Sequence, residues 1–212
     1  MRPLVILRPE PGASATAGRA AALGLEVRLH PLFRTVAVPW TMPTGEFYGL
    51  LLTSANAVRH AGALPVLPVY AVGEATAVVA RKAGATVAAT GTGGVDALLA
   101  SLPEGLRLLH LAGAERIAPV DPAQVISVVT VYRTEPLPPP IPDSLAGTVL
   151  LVHSPAAGRR VADLSLERAQ VRIAAISEAA ARACGVGWAA CEAAPRPSDD
   201  ALLPLAAKLC KD

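Results

Sequence analysis

The chain has 212 residues, 52% apolar and 17% charged, with a formal net charge of +2. That length suits one ordinary domain or two small ones, and the apolar fraction excludes a disordered chain. Seven aromatic residues offer little for base stacking, and the small net charge gives no electrostatic case for a nucleic-acid partner.

Leu4 to Leu7 reads as a first β-strand ending at Arg8-Pro9, too short for the apolar core of a signal peptide. Ser14 or Thr16 is expected to cap a helix that stops at Gly24, and Glu26 to Leu32 alternates with period two. This is a β-α-β unit. Beyond Pro39, strands are expected at 49–52, 69–72, 86–89, 106–111 and 125–133. Helices are expected after Thr53-Ser54, after Gly73 and from Val95 to Ser101. Leu137-Pro138-Pro139-Pro140-Ile141-Pro142 is the most linker-like stretch. The alternation then resumes with strands at 149–152, 173–176 and 187–190. Helices follow Ser154 and Ser177, and a last one is capped around Ser198-Asp199-Asp200. Pro204 should kink that helix or delay its start. Strands and helices alternating at this spacing predict an α/β fold with parallel sheets.

Segments of the chain repeat. Leu52-Thr53-Ser54-Ala55-Asn56-Ala57 resembles Val152-His153-Ser154-Pro155-Ala156-Ala157. Tyr70-Ala71-Val72-Gly73-Glu74 resembles Ala174-Ala175-Ile176-Ser177-Glu178, and Asp96-Ala97-Leu98-Leu99 resembles Asp200-Ala201-Leu202-Leu203. Phe33-Arg34-Thr35 likewise matches Tyr132-Arg133-Thr134. Four matches in one order at nearly one offset predict two homologous α/β units. Ligands bind outside the carboxyl ends of parallel strands, where helix N-termini present free N–H groups. Two such faces across a cleft would receive a polyanion, with Arg8, Arg59, Arg116 and Arg133 adding charge.

Other chemistries lack their motifs. His30, His60, His110 and His153 have no metal-ligand spacing, and Cys184, Cys191 and Cys210 form no CxxC pair, so no metal site or disulfide framework is expected. There is no nucleophile elbow and no Walker lysine; Gly91-Thr92-Gly93-Gly94 is a weak phosphate-loop lookalike. No run approaches a membrane span, and a cytoplasmic protein is expected.

Taken together, Leu7-Arg8-Pro9, Leu52-Thr53-Ser54-Ala55-Asn56-Ala57-Val58, Tyr70 through Ala77, Val131-Tyr132-Arg133-Thr134, His153-Ser154-Pro155-Ala156 and Pro197 through Leu203 resemble the uroporphyrinogen-III synthase family. The resemblance implies two similar parallel-sheet α/β domains joined by two linker strands, with a cleft between them. A discontinuous domain would comprise 1–35 and 135–212, and an inserted one 36–132. It implies a cofactor-independent enzyme that closes the linear tetrapyrrole hydroxymethylbilane, losing water and inverting the last pyrrole ring. By the same resemblance Tyr132 assists loss of the hydroxyl group. Arg8, Thr53, Ser54, Asn56, Gly73, Thr76, Ser154 and Ser177 would bind the substrate, and the protein would act as a monomer. The family commonly reads Ile-Gly-Pro-Thr-Thr-Ala where this chain has Ile176-Ser177-Glu178-Ala179-Ala180-Ala181, and the helix expected after Gly113 looks truncated. Those departures keep open a non-catalytic tetrapyrrole-binding or regulatory homologue. A two-lobed binding protein for a small ligand is a third reading.

Overall fold

The computed structural model describes residues 1–138 and 145–211, so Pro139 to Pro142 of the proline run lie outside the described residues. The chain divides into two compact units, Met1–Arg34 with Pro136–Asp212, and Thr35–Glu135.

The first unit is built from β1 (Leu4–Ile6), α1 (Gly12–Ala22), β2 (Val27–Leu29), β9 (Val149–Val152), α5 (Pro155–Ala162), β10 (Arg172–Ala175), α6 (Glu178–Ala183), β11 (Ala190–Ala193) and α7 (Asp199–Lys211). Its sheet runs β11-β10-β9-β1-β2 with every pair parallel. Strand residues alternate between its faces. Leu4, Ile6, Val149, Leu151 and Ala174 pack on α1 and α7, burying Ala13, Ala20, Leu202, Leu203, Ala206 and Leu209. Val5, Leu7, Leu150, Val152, Ile173 and Ala175 pack on α5 and α6. Helices α5 and α6 approach closely at Gly158, where a Cβ would lie 2.7 Å from the Ala180 carbonyl oxygen.

The second unit contains β3 (Phe33–Ala37), β4 (Gly49–Leu52), α2 (Ala55–His60), β5 (Val69–Val72), α3 (Glu74–Lys82), β6 (Val87–Gly91), α4 (Gly94–Ala100), β7 (Arg107–Gly113) and β8 (Val125–Pro136). Its sheet runs β3-β8-β7-β4-β5-β6, and the pairs β8/β7, β7/β4, β4/β5 and β5/β6 are parallel. Strands β3 and β8, which carry the chain between the units, are neighbours in this sheet. Leu50, Leu52, Val69, Ala71, Leu109 and Leu111 pack on α2 and α3. On the opposite face Leu51 and Leu108 pack against Leu98 and Leu99 of α4.

The duplication is visible in strand order. β4, β5, β6, β7 and β8 occupy the sheet positions of β9, β10, β11, β1 and β2, so one unit is a circular permutation of the other. As the sequence repeat suggests, the middle helix is shorter in the second copy: α3 has 9 residues and α6 has 6.

Several local expectations are corrected. Helix α1 starts at Gly12 behind Pro11, so Ser14 and Thr16 lie inside it. The Glu10 carboxylate accepts from the Ser14 N–H at 3.0 Å. Strand β2 has three residues, and β11 begins at Ala190 because Gly185 and Gly187 both take positive φ. Pro204 sits inside α7 without delaying its start; lacking an N–H, it leaves one helix carbonyl without its usual donor. Between β7 and β8 no helix forms at all. The segment there is tied down instead, with the Val120 N–H donating to Asp96 at 2.9 Å.

Candidate active site

In each sheet the parallel strands end along one edge, and ligands of open α/β sheets gather outside that edge where strand order reverses. In the second unit the reversal lies between β4 and β7, which places Thr53 and Gly113 there. In the first it lies between β1 and β9, which places Arg8 and His153 there.

Serine caps recur along these edges. Ser54 starts α2 and accepts from the Asn56 N–H at 3.2 Å. Ser154 starts α5 and accepts from Ala157 at 3.1 Å, and Ser177 starts α6 and accepts from Ala180 at 3.3 Å. Each hydroxyl satisfies one helix-terminal N–H and fixes where the remaining ones point. At α3 the cap is Gly73, with φ of 81°, and open space surrounds its Cβ direction. The backbone conformation, not crowding, calls for glycine there. Thr76 is buried in the first turn of α3.

Thr53 follows β4, and its hydroxyl lies 3.0 Å from Nε2 of His110. His110 is 1% exposed and its Nδ1 has no hydrogen-bond partner among the described residues. Burial, aided by the Arg116 charge, lowers its pKa to about 4, so the ring is neutral at ordinary pH.

Tyr132 lies on β8 opposite Gly113 of β7, just past a register shift. Its ring covers that glycine: a Cβ on Gly113 would sit 2.6 Å from Cζ and 2.8 Å from the phenol oxygen. The other support is His60 of α2, stacked on Tyr132 with ring centroids 5.9 Å apart. His60 is itself held by its Nε2, 2.9 Å from the Thr35 hydroxyl. Thr53, Ser54, Asn56, Tyr132 and His60 thus belong to β4, α2 and the β7/β8 pair of one unit.

The first unit carries an ionic cluster on Asp199, the first residue of α7. Its carboxylate accepts from Thr16 at 2.6 Å, from Nε2 of His153 at 3.0 Å and from Arg8 at 3.5 Å, and it also pairs with Arg19. Burial alone would raise the Asp199 carboxyl. The Thr16 and Arg19 hydrogen bonds and the charges of His153 and Arg8 override it and hold the pKa at about 2. His153 is lowered by burial and by Arg8, against the opposing pull of Asp199. Sequence reasoning read Asp199 only as a cap. The signal was faint: His153 occupies the repeat position of Thr53, and a polar pair is formed at both.

Three of the four arginines expected to add charge are already engaged. Arg8 is bound to Asp199, Arg59 donates to Asn56 at 3.0 Å, and Arg133 pairs with Glu135 at 2.6 Å. Glu178, the acid among the residues that depart from the family pattern, is exposed at the start of α6. All three cysteines are free, and Cys184 and Cys210 are buried.

A family profile described as Uroporphyrinogen-III synthase HemD matches residues 14–204. The chain belongs to the uroporphyrinogen-III synthase family. Among solved structures, uroporphyrinogen-III synthetase from Helicobacter pylori is 20% identical, with a TM-score of 0.69 over 99% of this chain and 100% of that one. A mutant uroporphyrinogen III synthase from Thermus thermophilus is 18% identical, with a TM-score of 0.54 over 99% and 100% of the two chains. At these identities the likeness concerns the fold, and it agrees with the two parallel-rich sheets of the uroporphyrinogen-III synthase family. No curated protein sequence gives a significant match. Among the described residues, no helix is long and apolar enough to cross a membrane.

Proposed function

We propose that this family member is a uroporphyrinogen-III synthase that closes hydroxymethylbilane to uroporphyrinogen III, with loss of water and inversion of the last ring. The observation that carries the reading is Tyr132, its phenol held between Gly113 and His60 beside the β4–β7 reversal. The pyrrole nitrogen supplies the electron pair that expels the hydroxyl group. The Tyr132 phenol gives its proton to the departing oxygen, and water leaves. The proton released when the pyrrole carbon regains aromaticity after closure restores the phenol. A weak acid suffices because the electron-rich pyrrole does most of the work; holding the chain in a reactive shape is the larger task.

The substrate carries carboxylates on every ring. The turns at Thr53-Ser54-Asn56, Gly73-Thr76, Ser154 and Ser177 offer hydroxyl and helix-terminal N–H donors for them, and Arg8, 3.5 Å from Asp199, shares its charge between that carboxylate and the substrate. This chemistry needs no cofactor, and the reading is of a cytoplasmic monomer.

The test supplies hydroxymethylbilane in situ and separates the products by isomer. Unaided closure gives type I. Type III formed in proportion to protein supports the enzyme. Only type I from folded protein refutes it and favours a tetrapyrrole-binding homologue, with Glu178 repelling a carboxylate at the start of α6.

A further inference from the structure

His110 stands out because nothing in the packing requires an imidazole. Its repeat equivalent is Ile6: β4 pairs Leu51 with His110, and β9 pairs Leu151 with Ile6. Ile6 is fully buried and apolar. A polar ring in the same place, with one nitrogen unpaired, is a cost that sheet packing does not repay.

The unpaired nitrogen decides how the proton is placed. A neutral imidazole carries one N–H. On Nδ1 that proton would be a buried donor without an acceptor, the rarer and costlier kind of orphan. On Nε2 it meets the Thr53 hydroxyl oxygen at 3.0 Å and leaves Nδ1 as a bare acceptor. The first arrangement makes Nε2 take the Thr53 proton. The second fills an acceptor site on Thr53 and leaves its O–H available for a different partner.

We infer that His110 is a positioning residue that donates through Nε2 to Thr53 and so holds the Thr53 hydroxyl as a hydrogen-bond donor for a substrate carboxylate. This rests on the proposed function and adds a residue to its site. The lowered pKa of His110 keeps the ring neutral across the working range, so the pair does not switch between roles as pH varies. Arg116 is the charged group that acts on His110, and it favours the same neutral state.

Two measurements test it. Long-range proton–nitrogen correlation spectra of the labelled protein report the tautomer directly. A neutral ring protonated on Nε2 between pH 5.5 and 8 is expected; protonation on Nδ1 overturns the inference, whether or not the protein is an enzyme. In the coupled assay, His110→Leu and Thr53→Val should each raise KM roughly tenfold or more, as expected for one lost hydrogen bond to a charged group. The double variant should be no worse than Thr53→Val, and His110→Gln, which keeps an N–H donor, should recover part of the loss. Additive losses, or a loss confined to kcat, overturn it. If the unaltered protein forms no type III product, the proposed function fails, and the tautomer still decides the role of His110.

Discussion

Gly113→Ala should disable the proposed chemistry without unfolding the protein. The added methyl would lie 2.6 Å from Cζ of Tyr132, 2.8 Å from the phenol oxygen and 3.0 Å from Cε2. Ordinary carbon contacts sit at roughly 3.5–4.0 Å, so the phenol must retreat by about 1 Å. Gly113 is outside the left-handed region, so alanine adds no backbone strain there. The ring cannot retreat freely because His60 is stacked on it. Overpacking of this kind costs about 1–3 kcal/mol. A reacting group displaced by about 1 Å costs on the order of 100-fold in rate. Gly49→Ala is the matched control. Its methyl would meet Cε2 of Tyr70 at 2.5 Å, but at the amino end of β4. Both variants should lose similar stability in urea titrations. Only Gly113→Ala should lose type III formation, to about the rate of Tyr132→Phe. Equal rates for the two glycine variants would refute the placement of Tyr132 in the chemistry.

Other consequences are open to measurement. Asp199→Asn removes the shared partner of two arginines whose side chains are 33% and 48% exposed, so it should cost about 1–3 kcal/mol in denaturant unfolding, less than a fully buried pair would. The Asp199 carboxyl is depressed from 3.8 to about 2, so its contribution of about 2 kcal/mol is complete above about pH 5 and fades as pH falls toward 2. An Asp199→Asn protein should lack that acid-dependent increment. His110 is also depressed, to about 4, so the unfolded chain binds its proton first and stability should decline as pH falls from about 6.5 to 4; His110→Leu should flatten that slope. Gly158→Ala drives a methyl to 2.7 Å from a backbone oxygen and 2.9 Å from the Ala183 methyl, neither on a flexible side chain. It should lower stability by about 1–3 kcal/mol or more by separating α5 from α6, and an unchanged unfolding midpoint would contradict the close approach.

What was legible in the sequence was what local patterns record. Apolar runs such as Val149–Val152 and Gly49–Leu52 could only be strands buried on both faces, and they are. Serines ahead of helical stretches marked Ser54, Ser154 and Ser177 as caps, each with its hydrogen bond. The misses have physical reasons. At α1 the acceptor is the Glu10 side chain, which satisfies the Ser14 N–H from outside the helix, so a serine inside the helix resembled its cap. The ionic cluster joins Arg8 and Thr16 to Asp199, separated by 191 and 183 positions, and no window of sequence holds both partners. His110 has no metal-ligand spacing to mark it, and its importance comes from Thr53, 57 positions away.

The two units started from one plan and have diverged at the same structural place. Where the first has α1 covering its sheet, with Ala13 and Ala20 in the core, the second has an irregular segment between β7 and β8 and a thinner buried face. At the repeat position after the central strand, the first unit has His153 bound to an ionised carboxylate, and the second has Thr53 bound to a neutral imidazole. The first pair is closed: Asp199 takes up Arg8, Arg19, Thr16 and His153 and ties α7 to α1 and to the ends of β1 and β9. The second has a hydroxyl with capacity left over, on the unit that also supports Tyr132. On the proposed reading the ionic cluster holds the fold, and the Thr53 hydroxyl meets the substrate. Perturbing Asp199 should therefore appear chiefly as lost stability, and perturbing His110 chiefly as a raised KM. The reverse pattern would mean that the ionic cluster, not the Thr53–His110 pair, meets the substrate.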